Sequence, residues 1–314
     1  MESFAGQIAV VTGGGSGIGR ALVQQLAAAG CHVALCDISE PDMAGTVELC
    51  KAAIDRGVRI TAHRCDVASE SDLNNFREQV AQQHGAAHIN LLFNNAGVSG
   101  GQSFLRDNRE HWDRVFNICW GGVYLGCRVF MPMLLASERG HIINISSING
   151  FWACMGANVE HTAYSAAKFA VKGFSEALLV DLRKHAPHVT ISVVMPGHIG
   201  TDIAINSHKL WLGDADTMNA QQLDSVRERW SSFGADAAQL PDDTVRELLR
   251  KGGEDFRDNA PTSAERAAQI ILAGVQQGQW RILVGDDAQA LDQAVRKHPE
   301  RAYDPGFMQI GPTV

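Results

Sequence analysis

Positive charge is scarce in this chain: 27 lysines and arginines stand against 35 aspartates and glutamates, a net charge of −8. That balance disfavours non-specific binding to nucleic acid or to a membrane surface, while leaving room for a small anion held locally. The seven cysteines, Cys31, Cys36, Cys50, Cys65, Cys119, Cys127 and Cys154, are odd in number and form no C-x-x-C with a matching second pair. Free thiols in a reducing compartment are therefore expected. No cluster of His, Cys and Asp has ligand spacing, so no metal is expected. Apolar runs long enough to span a bilayer are missing, and the opening MESFAGQIAVV has no basic segment of the kind that begins a signal peptide. A cytoplasmic protein without a membrane partner is the expectation. Internal repeats and low-complexity linkers are also missing, and one domain spanning residues 1–314 is predicted.

What remains is the composition of a globular protein, 45% apolar and 20% charged with 31 glycines. Residues 7–11 (QIAVV) read as a strand, followed by TGGGSGIG from Thr12 to Gly19 and the helical RALVQQLAAAG. HVALCD (32–37), VRITAHRCD (58–66), INLLFNNAG (89–97), HIINISS and VTISVVMPG repeat the strand signal. Helical stretches separate them near Pro41, from about Ser71, from Arg109 to Leu135 and from about Thr162 to His185. This alternation predicts an α/β fold, a doubly wound parallel sheet with helices on both faces. After Pro196-Gly197 the rhythm breaks. Residues 203 to about 260 hold no strand-like run, only polar helical pieces with apolar residues such as Leu210, Trp211, Leu212, Trp230 and Phe233, and read as an insertion or lid on the substrate side. Regularity returns in PTSAERAAQIILAGVQQG, where Thr262 or Ser263 is placed to cap a helix, and in the strand RILVG (281–285), leaving 286–314 as a C-terminal extension.

The turn between the first strand and helix carries Gly13, Gly17 and Gly19, a spacing that lets the backbone approach a pyrophosphate and opens a helix whose N-terminal amides face it. Gly13, Ser16, Gly17, Ile18 and Gly19 are its candidate cofactor contacts. Asp37 ends the second strand 18 residues beyond Gly19, where a carboxylate accepts bonds from a ribose and repels a 2′-phosphate. NAD is therefore favoured over NADP, since Ile38 and Ser39 follow and no cation precedes Gly17. Tyr164 and Lys168 stand four residues apart, on one face of a helix, so an ammonium beside a phenol is expected to lower its pKa toward working pH. Taken alone, such a pair is compatible with an ordinary helix surface.

With TGGGSGIG, NNAG, a serine, YSAAK and PG in this order, the chain resembles the short-chain dehydrogenase/reductase family over roughly its first two hundred residues and the terminal strand region. The resemblance implies a Rossmann-type fold and a catalytic set of Asn117, Ser147, Tyr164 and Lys168, in which Asn117 keeps a water in a proton relay. It further implies adenine contacts from Asp66 and Val67, an adenosine-ribose contact from Asn95, nicotinamide contacts from Ile199 and Thr201, and a nicotinamide-ribose contact from Lys168 beside Tyr164. A homodimer or homotetramer is implied as well, with the small residues Ala163, Ala166, Ala170, Gly173 and Ala177 permitting close packing on the sheet or a partner.

Ser147 precedes Tyr164 by seventeen residues, about four more than in the family's pattern, so the loop FWACMGANVEH is expected to reshape the substrate mouth. Trp152, Met155, His161 and His198 are candidates to line it, and Trp211 and Leu212 to cover it. The expected function is NAD-dependent interconversion of a secondary alcohol and a ketone, on a medium-sized, largely apolar substrate such as a steroid-like or alicyclic alcohol. An NADPH-dependent carbonyl reductase and a non-catalytic nucleotide-sensing protein are the alternatives.

Overall fold

A computed structural model of the chain describes residues 3–54, 56–100, 103–106, 108–154, 160–232 and 236–307. Nine strands are found there: β1 (Ile8–Thr12), β2 (His32–Asp37), β3 (Ile60–Arg64), β4 (Leu91–Asn94), β5 (Gly140–Ile145), β6 (Val189–Pro196), β7 (Ile199–Gly200), β8 (Thr262–Ser263) and β9 (Arg281–Val284). Seven of them form one parallel sheet in the order β3-β2-β1-β4-β5-β6-β9. The chain winds outward from β1 to β3 and then returns to place β4 on the other side of β1. This reversal opens a crevice beyond the carboxyl ends of β1 and β4, where ligands bind in open α/β sheets. Continuous apolar runs such as IAVVT and LLFN are buried on both faces, which requires helices on both sides. The expected doubly wound Rossmann-type fold in a single domain is the one observed.

Two cores flank the sheet. One holds Leu22, Leu26 and Ile271 from the helices Gly17–Ala28 and Ala264–Gln276, and the other Phe76, Phe130 and Leu182 from the helices Glu70–His84, Gly122–Leu135 and Thr162–His185. Ser263, one of the two expected caps, accepts the Arg266 N–H at 3.2 Å. β7 and β8 form a separate two-stranded ladder, Ile199 with Thr262 and Gly200 with Ser263, joining the two ends of the inserted segment. Within that segment Met218, Leu223, Val226, Val245 and Leu249 form a small core of their own.

The helix between Arg109 and Leu135 departs from expectation in two ways. By length and composition it would suffice to cross a membrane, although 56% of its most apolar window is buried inside the fold, chiefly under the sheet. It is also interrupted by a five-residue π-helical turn, Asn117–Gly121, a device common at functional sites. On the helix Thr162–His185, Ala163 is buried toward the core whereas Ala166, Gly173 and Ala177 face outward, so most of the small-residue stripe is not spent on the sheet.

Two buried histidines make the fold sensitive to acid. His141, 3% exposed, shares a 2.8 Å hydrogen bond with Ser192, and burial lowers it from 6.5 to about 4; His84 is lowered to about 4 by burial, helped by Arg59. Above pH 6.5 both states are neutral. As pH falls from 6.5 toward 4 the unfolded chain takes up protons that the native state refuses, so stability is lost through that window at up to about 1.4 kcal/mol per histidine per unit. The urea midpoint is expected to be lower at about pH 5 than at about pH 7.5, and His141→Gln to flatten part of that slope.

Candidate active site

The crevice is a continuous cleft of about 510 Å³ running from Asp37 and Asp66 at one end to Ser147, Tyr164 and Lys168 at the other. Gly13, Ser16, Gly17, Ile18, Val67, Asn95, Ile199 and Thr201 also line it. Thus all but two of the catalytic and cofactor-binding candidates singled out in the sequence converge on one space, though they come from most of the chain. The exceptions are Gly19 and Asn117.

Gly19 lies behind the glycine turn. A Cβ there would collide with the Gly13 carbonyl and stand 2.6 Å from Asn95 Nδ2, so its role is close packing, not contact with a ligand. Gly13 has a φ of +66°, and a Cβ on it would meet Ala96 Cα at 2.8 Å. The turn is clamped from β4: Asn95 Nδ2 donates to the carbonyls of Thr12 (2.9 Å) and Gly13 (3.2 Å), while Thr12 Oγ1 accepts from Asn95 N and Ala96 N at 3.0 Å. It is clamped from β2 by Asp37, whose Oδ2 accepts the Gly15 N–H at 3.0 Å and whose Oδ1 accepts the Ser39 N–H at 3.2 Å. Ser39, not Asp37, caps the next helix, accepting from Asp42 N. Arg20, which follows the turn, bonds the Gly15 carbonyl and, at 3.1 Å, Thr46 Oγ1. A cradle whose glycines leave no room for side chains, at the N-terminus of a helix, fits the pyrophosphate of a dinucleotide. Asp37 and Asp66 line the cleft on the side of the cradle away from Tyr164.

At the other end, β5 runs into Ser147, which is 8% exposed and accepts the Asn149 N–H at 3.1 Å. Its hydroxyl faces the Tyr164 phenol closely enough to favour the ionised form. Lys168, 3% exposed, donates from Nζ to the Ile145 carbonyl at 2.9 Å and lies 5.4 Å from the centre of the Tyr164 ring. Ser146 points the other way, as strand alternation predicts, and bonds the Lys168 carbonyl at 2.8 Å. The expected electrostatics need correction. Burial pushes the phenol up, with Cys119 adding to the rise and the Ser147 hydroxyl opposing it, and burial pushes the ammonium down. Both charged forms lose water, and that outweighs an ammonium already bonded to a carbonyl.

Asn117 lies beside this end of the cleft, not on its lining. It is exposed, at the first position of the π turn. The wider turn carries Cys119 inward, fully buried among Val115, Ala163 and Ala167 and bonded through Sγ to Val98. The π turn itself is silent in helical periodicity, so the inward turn of Cys119 has no mark in the sequence.

The neighbouring candidates separate. Trp152 does not line the cleft; it is 1% exposed, donates from Nε1 to the Ala302 carbonyl at 2.6 Å, and packs with Ala288 and Leu291 of the C-terminal extension. The start of the long loop is therefore a packing surface for the chain's end, while Met155 lies outside the described residues. His198 binds the Phe256 carbonyl through Nε2 at 2.7 Å, tying the PG turn to the helix Asp242–Asp258. His161 stands edge-on to Tyr164, ring centres 5.8 Å apart, without lining the cleft. Trp211 donates to the Ser99 carbonyl at 2.8 Å and meets His111 edge-on, whereas Leu212 packs into the inserted core; Phe233 is outside the described residues.

The helix Ile203–Leu212 spans the mouth: Asn206 Nδ2 reaches Ser16 Oγ at 3.3 Å on one lip, and Ser207 Oγ accepts the Ser99 N–H at 2.8 Å on the other. Ile203, Leu210 and Phe256 from the inserted segment line the cleft with Val98 and Ile118. No local motif marks these positions, which reach the site only through tertiary packing.

The model of the family described as short chain dehydrogenase matches residues 7–210, more than half of the chain. A putative oxidoreductase, SadH, of Mycobacterium tuberculosis is 33% identical over 296 residues, covering 94% of this chain and 92% of that protein. Among solved structures, a short chain dehydrogenase/reductase from Burkholderia phymatum in complex with NAD aligns over 100% of both chains with a TM-score of 0.75 and 26% identity. A metagenomic short-chain oxidoreductase in complex with NADP aligns over 62% of this chain and 83% of its own, with a TM-score of 0.54 and 31% identity. On the fold, the cradle and these likenesses together, the chain belongs to the short-chain dehydrogenase/reductase family of oxidoreductases, whose members bind a nicotinamide cofactor.

Proposed function

We propose that the protein interconverts a secondary alcohol and a ketone with NAD. The observation that carries this reading is the convergence of Ser147, Tyr164 and Lys168 at the end of the cleft opposite Asp37, with Lys168 Nζ 5.4 Å from the centre of the Tyr164 ring. When bound, the nicotinamide supplies the hydride acceptor for alcohol oxidation and the donor for ketone reduction. The chain's own residues handle the oxygen and its proton. Tyr164 as phenolate takes the hydroxyl proton of the alcohol, and as phenol returns it to the ketone oxygen. Ser147 holds that same oxygen through its hydroxyl. Lys168 supports the phenolate and holds the adjoining ribose, and Ile199 and Thr201 orient the nicotinamide. Asp37 is placed to accept ribose hydroxyls and to repel a 2′-phosphate.

A medium-sized, largely apolar substrate of steroid-like or alicyclic kind suits the lining of Val98, Ile118, Ile203, Leu210 and Phe256. In this reading the segment 203–260 acts as a lid, and Ala288, Leu291 and Ala302 form a brace beneath the serine loop. The outward faces of the two long helices, with Tyr124 42% and Phe169 41% exposed, are where a homodimer or homotetramer would assemble.

The test is a panel of secondary alcohols, watching NADH appear, together with titration of NADH and NADPH. Tighter NADH binding is expected, and Asp37→Ala should narrow the gap. Tighter NADPH binding by the unaltered protein would remove this reading of Asp37; no alcohol oxidised with either cofactor would favour a nucleotide-sensing protein.

A further inference from the structure

The buried thiol of Cys119 is not used in the reaction outlined above, yet it stands at its centre. The π turn Asn117–Gly121 directs it inward, and it is 0% exposed. Val98 holds it on both sides: the Val98 N–H donates to Sγ at 3.5 Å, and the thiol donates to the Val98 carbonyl at 3.3 Å. It flanks Lys168 across the backbone of Gly97. A Cβ on Gly97 would be in ordinary van der Waals contact with both heads, 3.6 Å from Lys168 Nζ and 3.7 Å from Cys119 Sγ, which places the two on one wall.

Two acids thus flank one ammonium, Cys119 from the buried side and Tyr164 from the cleft side. Each gains if it ionises next to Lys168. They cannot gain together, because a thiolate and a phenolate beside the same ammonium repel. A thiolate at Cys119 accordingly raises Tyr164, and the Lys168 ammonium lowers Cys119 against the rise caused by burial. The other titratable groups are His161, edge-on to the Tyr164 ring, Arg114 and Lys209, which line the same cleft, and Asp37 and Asp66 at its far end.

We propose that Cys119 is a positioning residue of this site: its thiol competes with the Tyr164 phenol for the Lys168 ammonium and so sets the pH at which the phenol ionises. The proposal rests on the reading of Tyr164 as the proton carrier for its kinetic consequence, but the ionisation itself is measurable without turnover. Only three tyrosines are present, and subtracting the spectrum of Tyr164→Phe removes Tyr124 and Tyr303.

The experiment is a pH titration of phenolate absorbance on the full chain, saturated with whichever of NAD and NADP binds it more tightly. Cys119→Ser keeps a small polar group that does not ionise, and should lower the apparent Tyr164 pKa by about half a unit or more. Cys119→Asp supplies a carboxylate and should raise it by a similar amount. A role in packing alone predicts no such opposition of sign. An unchanged pKa in Cys119→Ser overturns the proposal, and this variant decides alone if Cys119→Asp does not fold. Where an alcohol substrate is in hand, the acid limb of kcat/KM for its oxidation should move with the phenol. If the phenol shifts as expected while no alcohol is oxidised, the dehydrogenase reading fails and the role of Cys119 stands.

Discussion

Tyr164→Phe is expected to lower kcat by about a hundred- to ten-thousandfold while leaving NAD affinity within a few-fold, the range a positioned general acid–base contributes. The substitution removes one oxygen and little else. The ring keeps its edge-on contact with His161, and the helix Thr162–His185 keeps its packing through Ala163, Ala167 and Val171, all 0% exposed. Lys168 keeps its bond to the Ile145 carbonyl, since that bond does not involve the phenol. What disappears is the oxygen that the Ser147 hydroxyl faces, the atom that exchanges the substrate proton. Steady-state rates with the best alcohol of the panel and a fluorescence titration of NADH separate the two effects. Retention of more than about a tenth of the activity, well above the loss expected for such a group, would show that the proton travels by another route.

Gly19→Ala is expected to weaken nucleotide binding by a hundredfold or more, about 2.7 kcal/mol, and to cost about 1–3 kcal/mol of stability by overpacking. The added methyl would fall on the Gly13 carbonyl and the Asn95 amide, and neither has anywhere to go. That carbonyl is held by Asn95 Nδ2, and Asn95 Nδ2 is held in turn by the Thr12 carbonyl. Gly13 cannot rotate away, because its backbone already lies against Ala96. The turn must open, taking with it the amides that face a pyrophosphate. Gly252→Ala is the control. Gly252 sits in the helix Asp242–Asp258 with open space where a Cβ would be, so alanine there should be neutral or stabilising by up to about 1 kcal/mol. Urea unfolding and NADH titration of both variants give the comparison. Unchanged NADH affinity in Gly19→Ala would mean that this turn does not seat the nucleotide.

Much of this arrangement is legible along the chain because it depends on local rules. HVALCD becomes β2 with the expected ends, from His32 to Asp37, and the tyrosine helix runs from Thr162 to His185 as its periodicity predicts. A strand buried on both faces must be apolar throughout, and a turn that grips a phosphate must be glycine, so both leave a mark in sequence. Other positions leave none. His198 looks like a pocket residue by its distance from the PG turn, yet its ring nitrogen is committed to the Phe256 carbonyl, fifty-eight residues away. Trp152 looks like one by its distance from Ser147, yet its indole is spent on Ala302, 150 residues away.

The Tyr164–Lys168 pair shows the same division at the site itself. Spacing on a helix is enough to bring a phenol and an ammonium to one face, and ordered motifs are enough to name the family and its nicotinamide chemistry. Sequence alone therefore determined the sheet, the cradle and the chemical groups. Only the tertiary structure decided how those groups are tuned and covered: burial raises the phenol, a π turn carries Cys119 inward beside Lys168, and the helix Ile203–Leu212 closes over the cleft. The physical reason is that hydrogen-bonding patterns and side-chain periodicity act within a few residues. Desolvation and close contact depend on every segment that packs against a group, however distant in the chain.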